Sequence, residues 1–253
     1  MTKARFLLTV MTCICLFVPE IFGQSTPPTS GSEGWRLQVV PYVWGSNFKG
    51  TVGIGDHSAD VDASFLDLLR EMNFAFMGAF EADRNKFAAV TDLMYLSLSD
   101  KHATPGPLFS SAKAIGKLLI VSPEAGYRLA GSEASSLDVL GGVRFWHVKG
   151  ELDFDRGLLD ELDLSRNRNW VDGIFALKGK IRLSPKWYVT GYGDIGGGGS
   201  NLTYQLLGVA GRDFGERYAL VFGYRHLHVA YDKDRFLFDT GMGGPILGFA
   251  FKF

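Results

Sequence analysis

The chain has 253 residues, 26 Lys and Arg against 27 Asp and Glu, and two cysteines, Cys13 and Cys15. A net charge of −1 gives no support to a nucleic-acid surface or a basic membrane-binding patch. With no cysteine after position 15, disulfide, thiol and cysteine–metal chemistry are excluded from the rest of the chain.

At the start, Lys3 and Arg5 precede an almost wholly apolar stretch from Phe6 to Val18, and Pro19-Glu20-Ile21-Phe22-Gly23 follows, with Gly23 the expected last residue removed. This layout predicts a secretory signal peptide over 1–23, although Ile21 stands where a small residue is preferred. The apolar stretch is too short to cross a bilayer as a helix, and no run of 18 apolar residues occurs elsewhere. Residues 24–34 are rich in Ser, Thr, Pro and Gly and predict a flexible lead-in. Residues 35–253 read as one domain.

Within that domain, side-chain polarity alternates with a period of two. Ten segments follow: 35–44, 74–82, 87–97, 114–129, 137–148, 170–183, 187–194, 202–212, 218–231 and 236–253. Short turns over 83–86, 130–134, 184–186 and 213–216 alternate with longer connections over 45–73, 98–113, 149–169, 195–201 and 232–235. The pattern predicts an all-β, antiparallel, up-and-down transmembrane β-barrel of about ten strands, with eight or twelve left open. Short turns on one side, longer loops on the other and an even count that leaves both termini together all fit such a barrel. Closure removes the strand edges that hydrocarbon would not tolerate. The first long connection contains one helical stretch: Ser64 is an N-cap candidate, Asp67 follows three residues on, and Phe65, Leu68, Leu69 and Met72 form one apolar stripe. That predicts a short helix on the barrel rim or across its mouth. The last strand places Leu247, Phe249, Phe251 and Phe253 on one face, a row that water would penalise by about 1.5–3 kcal/mol per side chain. It resembles the C-terminal sorting strand of bacterial outer-membrane barrels.

Parity assigns the faces. Phe74, Phe76, Gly78 and Phe80, then Phe87, Ala89, Leu93 and Tyr95, then Val139, Val143 and Phe145, then Phe175, Leu177 and Ile181 are expected to face lipid. The charged residues Glu81, Asp92, Glu124, Arg128, Arg144, Asp172, Lys178, Lys180, Arg182, Asp194 and Arg225 are expected to line the lumen. A Lys or Arg facing lipid at the midplane costs about 2–4 kcal/mol, so their common inward parity is a consistency test. The lumen charges predict either a salt-bridged core or a narrow polar path for small ions or solutes. Trp35, Trp44, Trp170, Trp187, Tyr95, Tyr127, Tyr218 and Tyr231, near strand ends, are expected in aromatic girdles.

Catalytic patterns are weak. His226 and His228 share a face beside Asp232 and Asp234, a faint echo of the Asp and His pairs of omptin-type outer-membrane proteases, and an i, i+2 histidine pair has low specificity for metal. His57–Ser58 and Ser110–Ser111 lack a convincing partner for a deacylase arrangement. The glycine run at 196–199 precedes no helix and lacks a phosphate-loop lysine, so it reads as an outer turn. Glu151, Asp153, Asp155, Asp160, Glu161 and Asp163 crowd one connection without the spacing of a calcium-binding loop.

Several phrases carry a wider likeness: Pro41-Tyr42-Val43-Trp44, Gly50-Thr51-Val52-Gly53, the stretch from Val61 to Leu69, Asp92-Leu93-Met94-Tyr95-Leu96, Gly191-Tyr192-Gly193-Asp194, Gly223-Tyr224-Arg225-His226-Leu227 and Gly244-Pro245-Ile246-Leu247-Gly248. Together the chain resembles a family of Gram-negative outer-membrane β-barrel proteins of porin-like or small-barrel type. The resemblance implies location and architecture and supplies no substrate or catalytic residue. The expectation is a structural or narrow pore-type barrel, exported through the periplasm to the bacterial outer membrane, with no enzymatic activity and no cofactor. Its partners would be outer-membrane lipids, the barrel-assembly machinery acting on the C-terminal strand, and small ions or solutes, but no nucleic acid. A rim-located hydrolase, and adhesion or ligand binding by the outer loops, are the alternatives.

Overall fold

The structure is a computed structural model that describes residues 34–103, 109–132, 134–156 and 162–253. The expected signal peptide and all but the last residue of the lead-in lie outside them. The elements are β1 (Arg36–Trp44), β2 (Asn47–Ile54), β3 (His57–Ala63), α1 (Phe65–Glu71), β4 (Met72–Arg84), β5 (Phe87–Ala103), β6 (Phe109–Gly131), β7 (Ser135–Arg156), β8 (Leu162–Arg182), β9 (Trp187–Gly198), β10 (Leu202–Phe214), β11 (Tyr218–Lys233) and β12 (Phe236–Lys252). From β4 to β12 each strand pairs antiparallel with the next. β1 pairs with both β4 and β12, closing a ring of ten strands. These ten are the ten segments read from the sequence. The turns β4–β5, β6–β7, β8–β9 and β10–β11 lie at the end where β1 begins, called here the lower end. The other hairpins form the upper end.

Two expected connections are mostly strand. β5 runs to Ala103 and β6 starts at Phe109, while β7 runs to Arg156 and β8 starts at Leu162. The apolar alternation used to place the segments stops where the apolar belt stops. Backbone pairing does not need that belt, so the two hairpins continue beyond it.

The first long connection is built into the wall. β12 pairs with β1 through residues such as Leu247 and Phe251, and with β2 from Phe236 to Gly243, so β2 prolongs β1 upward. β3 returns beside β2, and β4 descends beside β1. β3 and β4 therefore share one place in the wall, with α1 between them. β3 pairs only with β2, and β5 above Leu98 pairs only with β6, so the upper wall is unzipped between β3 and β5. Ser64 caps α1 from an extended backbone (φ −72°, ψ 160°), and Asp67 reaches back to the Ser64 amide, completing the box. The Ser64 hydroxyl and amide hold the Asp67 carboxyl below the usual carboxylate range. A depressed folded-state value means that the cap is intact above the unfolded pKa of about 3.9 and is lost as pH falls through the folded value. Amide exchange over 65–71 should accelerate in that acid window, and Ser64→Ala should accelerate it at neutral pH. Exchange indifferent to both would contradict the capping account.

Alternation sets the two faces. Phe74, Phe76 and Phe80 on β4, Val171, Phe175, Leu177 and Ile181 on β8, Leu206 on β10, Phe222 and Tyr224 on β11 and Leu247 on β12 are all exposed. Between them, the inward rows bury Ile174 and Ala176, Leu227 and Val229, and Ala250. A continuous apolar belt thus covers the outside. Trp35, Tyr127, Trp187 and Tyr218 are exposed at its lower edge. Trp44, Trp170 and Tyr231 are not girdle residues: they are 3%, 6% and 5% exposed and face inward. The reason is parity, since Trp44 shares its row with Val40 and Tyr42, which are also buried.

Candidate functional site

The interior is filled in three layers. At the lower end, Val40, Tyr188, Ala219 and Ala250 form one small cluster, and Ala88, Leu140 and Ala176 form another. Charged residues surround them. Arg128 bonds Asp138 (Nε to Oδ1, 2.7 Å) and Asp83 (Nη2 to Oδ1, 3.0 Å). Lys178 bonds Glu81 at 2.6 Å, and Lys180 lies 4.1 Å above the Tyr188 ring. Asp213 takes Lys252 at 2.6 Å and Arg182 at 3.0 Å. Arg182 sits at the rim, with 37% of its side chain exposed.

The middle layer holds two buried guanidinium groups. Arg144 on β7 grips Asp194 on β9 with both ends of its fork, Nη1 to Oδ1 at 3.0 Å and Nη2 to Oδ2 at 2.6 Å. Its Nε donates to Ser122 on β6 and its Nη1 to Thr203 on β10. Bidentate charge-assisted bonds of this kind are stronger than neutral ones and fix direction as well as distance. One side chain thereby ties together four strands, and it is 1% exposed while Asp194 is fully covered. Arg225 on β11 reaches across to Asp92 on β5 at 2.8 Å, to Gln205 at 2.9 Å and to the Tyr42 hydroxyl at 2.6 Å. Tyr42 in turn donates to Asp92 at 2.7 Å, and the Arg225 guanidinium lies 4.8 Å from the Trp44 ring centre. The Tyr192 hydroxyl sits 2.7 Å from Glu124 and 2.8 Å from Asp194, joining the carboxylates to the same network. Asp172 is buried and accepts the Ser200 amide at 2.6 Å.

Above these charges lies an aromatic lid. Trp146 and Trp170 stack at 5.5 Å and 13°, and Trp170 meets Tyr231 at 4.3 Å and Phe238 at 6.1 Å. Met94, Leu118, Ile120, Leu227, Val229 and Met242 pack into the same cluster, and Trp146, Ile120, Leu227 and Val229 have no exposure at all. The sequence reading did not single out Asp83, Asp138, Asp213 or Lys252 for the interior, although parity places each on an inward row. It also passed over Tyr42, Tyr192, Gln205, Ser122 and Thr203, which carry no charge to mark them.

The rim histidines have no carboxylate or hydroxyl within hydrogen-bond reach among the described residues. His226 and His228 lie on the outward row of β11 beside Tyr204, at ring separations of 5.7 and 5.1 Å. His228 approaches Asp239 at 3.6 Å, longer than a hydrogen bond. The side chains of His57, Ser110 and Ser111, and those of the acidic residues from Glu151 to Asp163, lie outside the described residues. Among the described residues no three His, Cys, Asp or Glu side chains converge on a metal-sized site.

A ring of ten antiparallel strands with an apolar outside and a charged interior has the fold of an outer-membrane β-barrel. The structure is similar to that of the outer membrane protease OmpT from Escherichia coli, with a TM-score of 0.53 and 9% identity over 90% of this chain and all of that one. The translocator domain of the autotransporter NalP from Neisseria meningitidis gives a TM-score of 0.43 at 14% identity, covering 99% of this chain and 96% of that one. Ail from Yersinia pestis gives 0.42 at 12% identity, covering 88% of this chain and all of that one. At 9% identity the likeness to OmpT is one of fold alone. The chain matches no protein-family model, and no curated protein matches it.

Proposed function

We propose that this protein is a structural barrel of the bacterial outer membrane whose interior is closed to solutes and which catalyses no reaction. Its outward belt meets lipid, and its C-terminal strand, with Leu247 and Phe253 exposed on the outward row, engages the barrel-assembly machinery. The observation that carries the reading is the middle layer. Arg144–Asp194 links β7 to β9 and Arg225–Asp92 spans the interior from β11 to β5; beneath the Trp146–Trp170 stack the side chains of Arg144, Asp194 and Arg225 are at most 2% exposed. A water-filled path would leave such side chains exposed and would tune selectivity through them. Here they hold the barrel cross-section instead, as a rigid frame for the hairpins at the upper end.

The test is single-channel recording of the full-length barrel in planar bilayers. The expected record shows no resolved conductance steps, while heat-modifiable gel mobility confirms a folded barrel in the same preparation. Steady conductance from that preparation would overturn the filled-interior reading.

A further inference from the structure

The wall is low at β9–β10. β8 pairs with β9 only up to Asp172, and β11 pairs with β10 only up to Ala230. Above those points the free edges of β8 and β11 face each other across the glycine-rich turn that the sequence marked at 196–199. The turn is seated tightly: Asn201 donates its amide to the Ala230 carbonyl at 2.8 Å, and a Cβ on Gly199 would lie 2.5 Å from the Val171 carbonyl oxygen. It forms the floor of a notch at the upper rim.

Three cations surround that notch. Arg166 and Arg168 continue the inward row of β8 above Trp170, and Lys233 ends the inward row of β11 above Tyr231. Arg168 spans the opening, donating to the Asp234 carbonyl at 3.2 Å and lying 5.9 Å from the centre of the half-buried Phe236 ring. Its Nε is buried and finds no acceptor. Lys233 donates to the Gly198 carbonyl at 2.9 Å. Arg166 is exposed and has no partner among the described residues. No described carboxylate lies within ion-pair distance of any of the three, whereas most charged groups of the barrel interior are ion-paired, with Glu124, Asp172 and Lys180 the exceptions. Arg235, beside them, meets Asp56 only at 3.3 Å on the exposed surface. Of the two acids that flank Lys233, Asp232 sits on the opposite row of β11, and Asp234 gives Arg168 its backbone carbonyl while its carboxylate makes no ion pair with the three.

Guanidinium and ammonium groups without a described carboxylate partner around a backbone floor suit a doubly bonded oxyanion, and the Phe236 face suits the apolar side of a sugar ring. We propose that this notch binds a phosphorylated or sulfated saccharide. Arg166 and Arg168 would fork onto the oxyanion, with Lys233 adding a point charge. The notch stands three residues above Val171, the last exposed apolar residue among those described on β8, roughly 10 Å farther along the tilted strand at about 3.3 Å per residue. That height serves both a lipid headgroup and a soluble polysaccharide.

The experiment uses the full-length barrel in detergent micelles and in vesicles. Probes are dextran sulfate against neutral dextran, and vesicles carrying phosphorylated lipid A against dephosphorylated lipid A. The combined variant Arg166→Gln/Arg168→Gln/Lys233→Gln should bind the anionic probes at least about tenfold more weakly, with a shallower salt dependence. A charge-matched variant at the lower turns, Lys86→Gln/Lys186→Gln/Arg217→Gln, should bind like the parent. Arg166→Gln alone removes a side chain with no described partner, so it should fold normally and still weaken binding by about threefold. Binding in the lipid arm alone makes the ligand a headgroup, and binding in the soluble arm alone makes it a polysaccharide. Equal loss in the lower-turn variant, equal binding of neutral dextran, or no binding in either arm would overturn the proposal.

Discussion

Arg144→Ala should destabilise the barrel by about 3–5 kcal/mol, the cost of leaving a buried charge without its partner. Asp194 would keep only the Tyr192 hydroxyl, and Ser122 would lose the guanidinium it accepts from. The size of the effect comes from burial, since Arg144 and Asp194 are 1% and 0% exposed and water cannot replace the lost partner. Removing both charges together is a different experiment. Arg144→Met with Asp194→Leu should recover most of the loss, because a buried ion pair and a well-packed apolar pair of similar volume are often close in stability. Urea titration of the refolded barrel, read by gel mobility with and without heating, separates the two cases. A single variant as stable as the parent would mean that the middle layer does not hold the cross-section.

Phe175→Arg should cost about 2–4 kcal/mol in a bilayer, the penalty for a lipid-facing cation near the midplane. Phe175 is 55% exposed at the centre of β8, flanked on its row by Val171, Leu177 and Ile181. In water the same change would be almost free, because an exposed aromatic ring gains little and a solvated guanidinium loses nothing. The substitution therefore reports which solvent the belt meets. The measurement is the folded fraction after refolding into vesicles across a urea series, and an unshifted midpoint would count against lipid contact. The same substitution at Lys186, in the lower turn, should have no effect beyond about 0.5 kcal/mol.

The sequence carried the ring of strands because alternation with a period of two is a local property. Phe74, Phe76 and Phe80 announce an outward row without any knowledge of their neighbours. The inward charges were legible on the same ground: Arg144, Asp172, Asp194 and Arg225 all fall on the buried row. Their partners were not. Arg144 meets Asp194 because β7 and β9 flank β8 at a particular stagger, and Arg225 reaches Asp92 across the whole barrel. Stagger is set by closure, which no segment encodes alone. Tyr42 and Tyr192 were overlooked because a hydroxyl in an apolar-looking row reads as one more aromatic.

Trp44, Trp170 and Tyr231 were misplaced for a related reason. Position near a strand end suggests a girdle, but the row decides, and Val40 and Tyr42 already fixed the row of Trp44. The first connection divided differently. The capping box of Ser64 and Asp67 and the stripe of Phe65, Leu68 and Leu69 are local signals, so α1 was readable. Its place between β3 and β4, interrupting one strand position, depends on which edge β3 pairs with. The low β9–β10 wall was visible as a glycine run, but Arg166, Arg168 and Lys233 come together only through the register of β8 and β11.

Nitroxide scanning along β8 tests the whole picture most directly. With Cys13 and Cys15, the two cysteines of the chain, replaced by serine, one introduced cysteine at each position from 171 to 181 gives a single label. In lipid vesicles, labels at 171, 173, 175, 177, 179 and 181 should collide with oxygen, and those at even positions should be immobile and shielded from oxygen and from a water-soluble nickel complex. Access of the nickel complex to the even row would contradict a filled interior. Loss of the odd-row oxygen signal would contradict a belt in hydrocarbon.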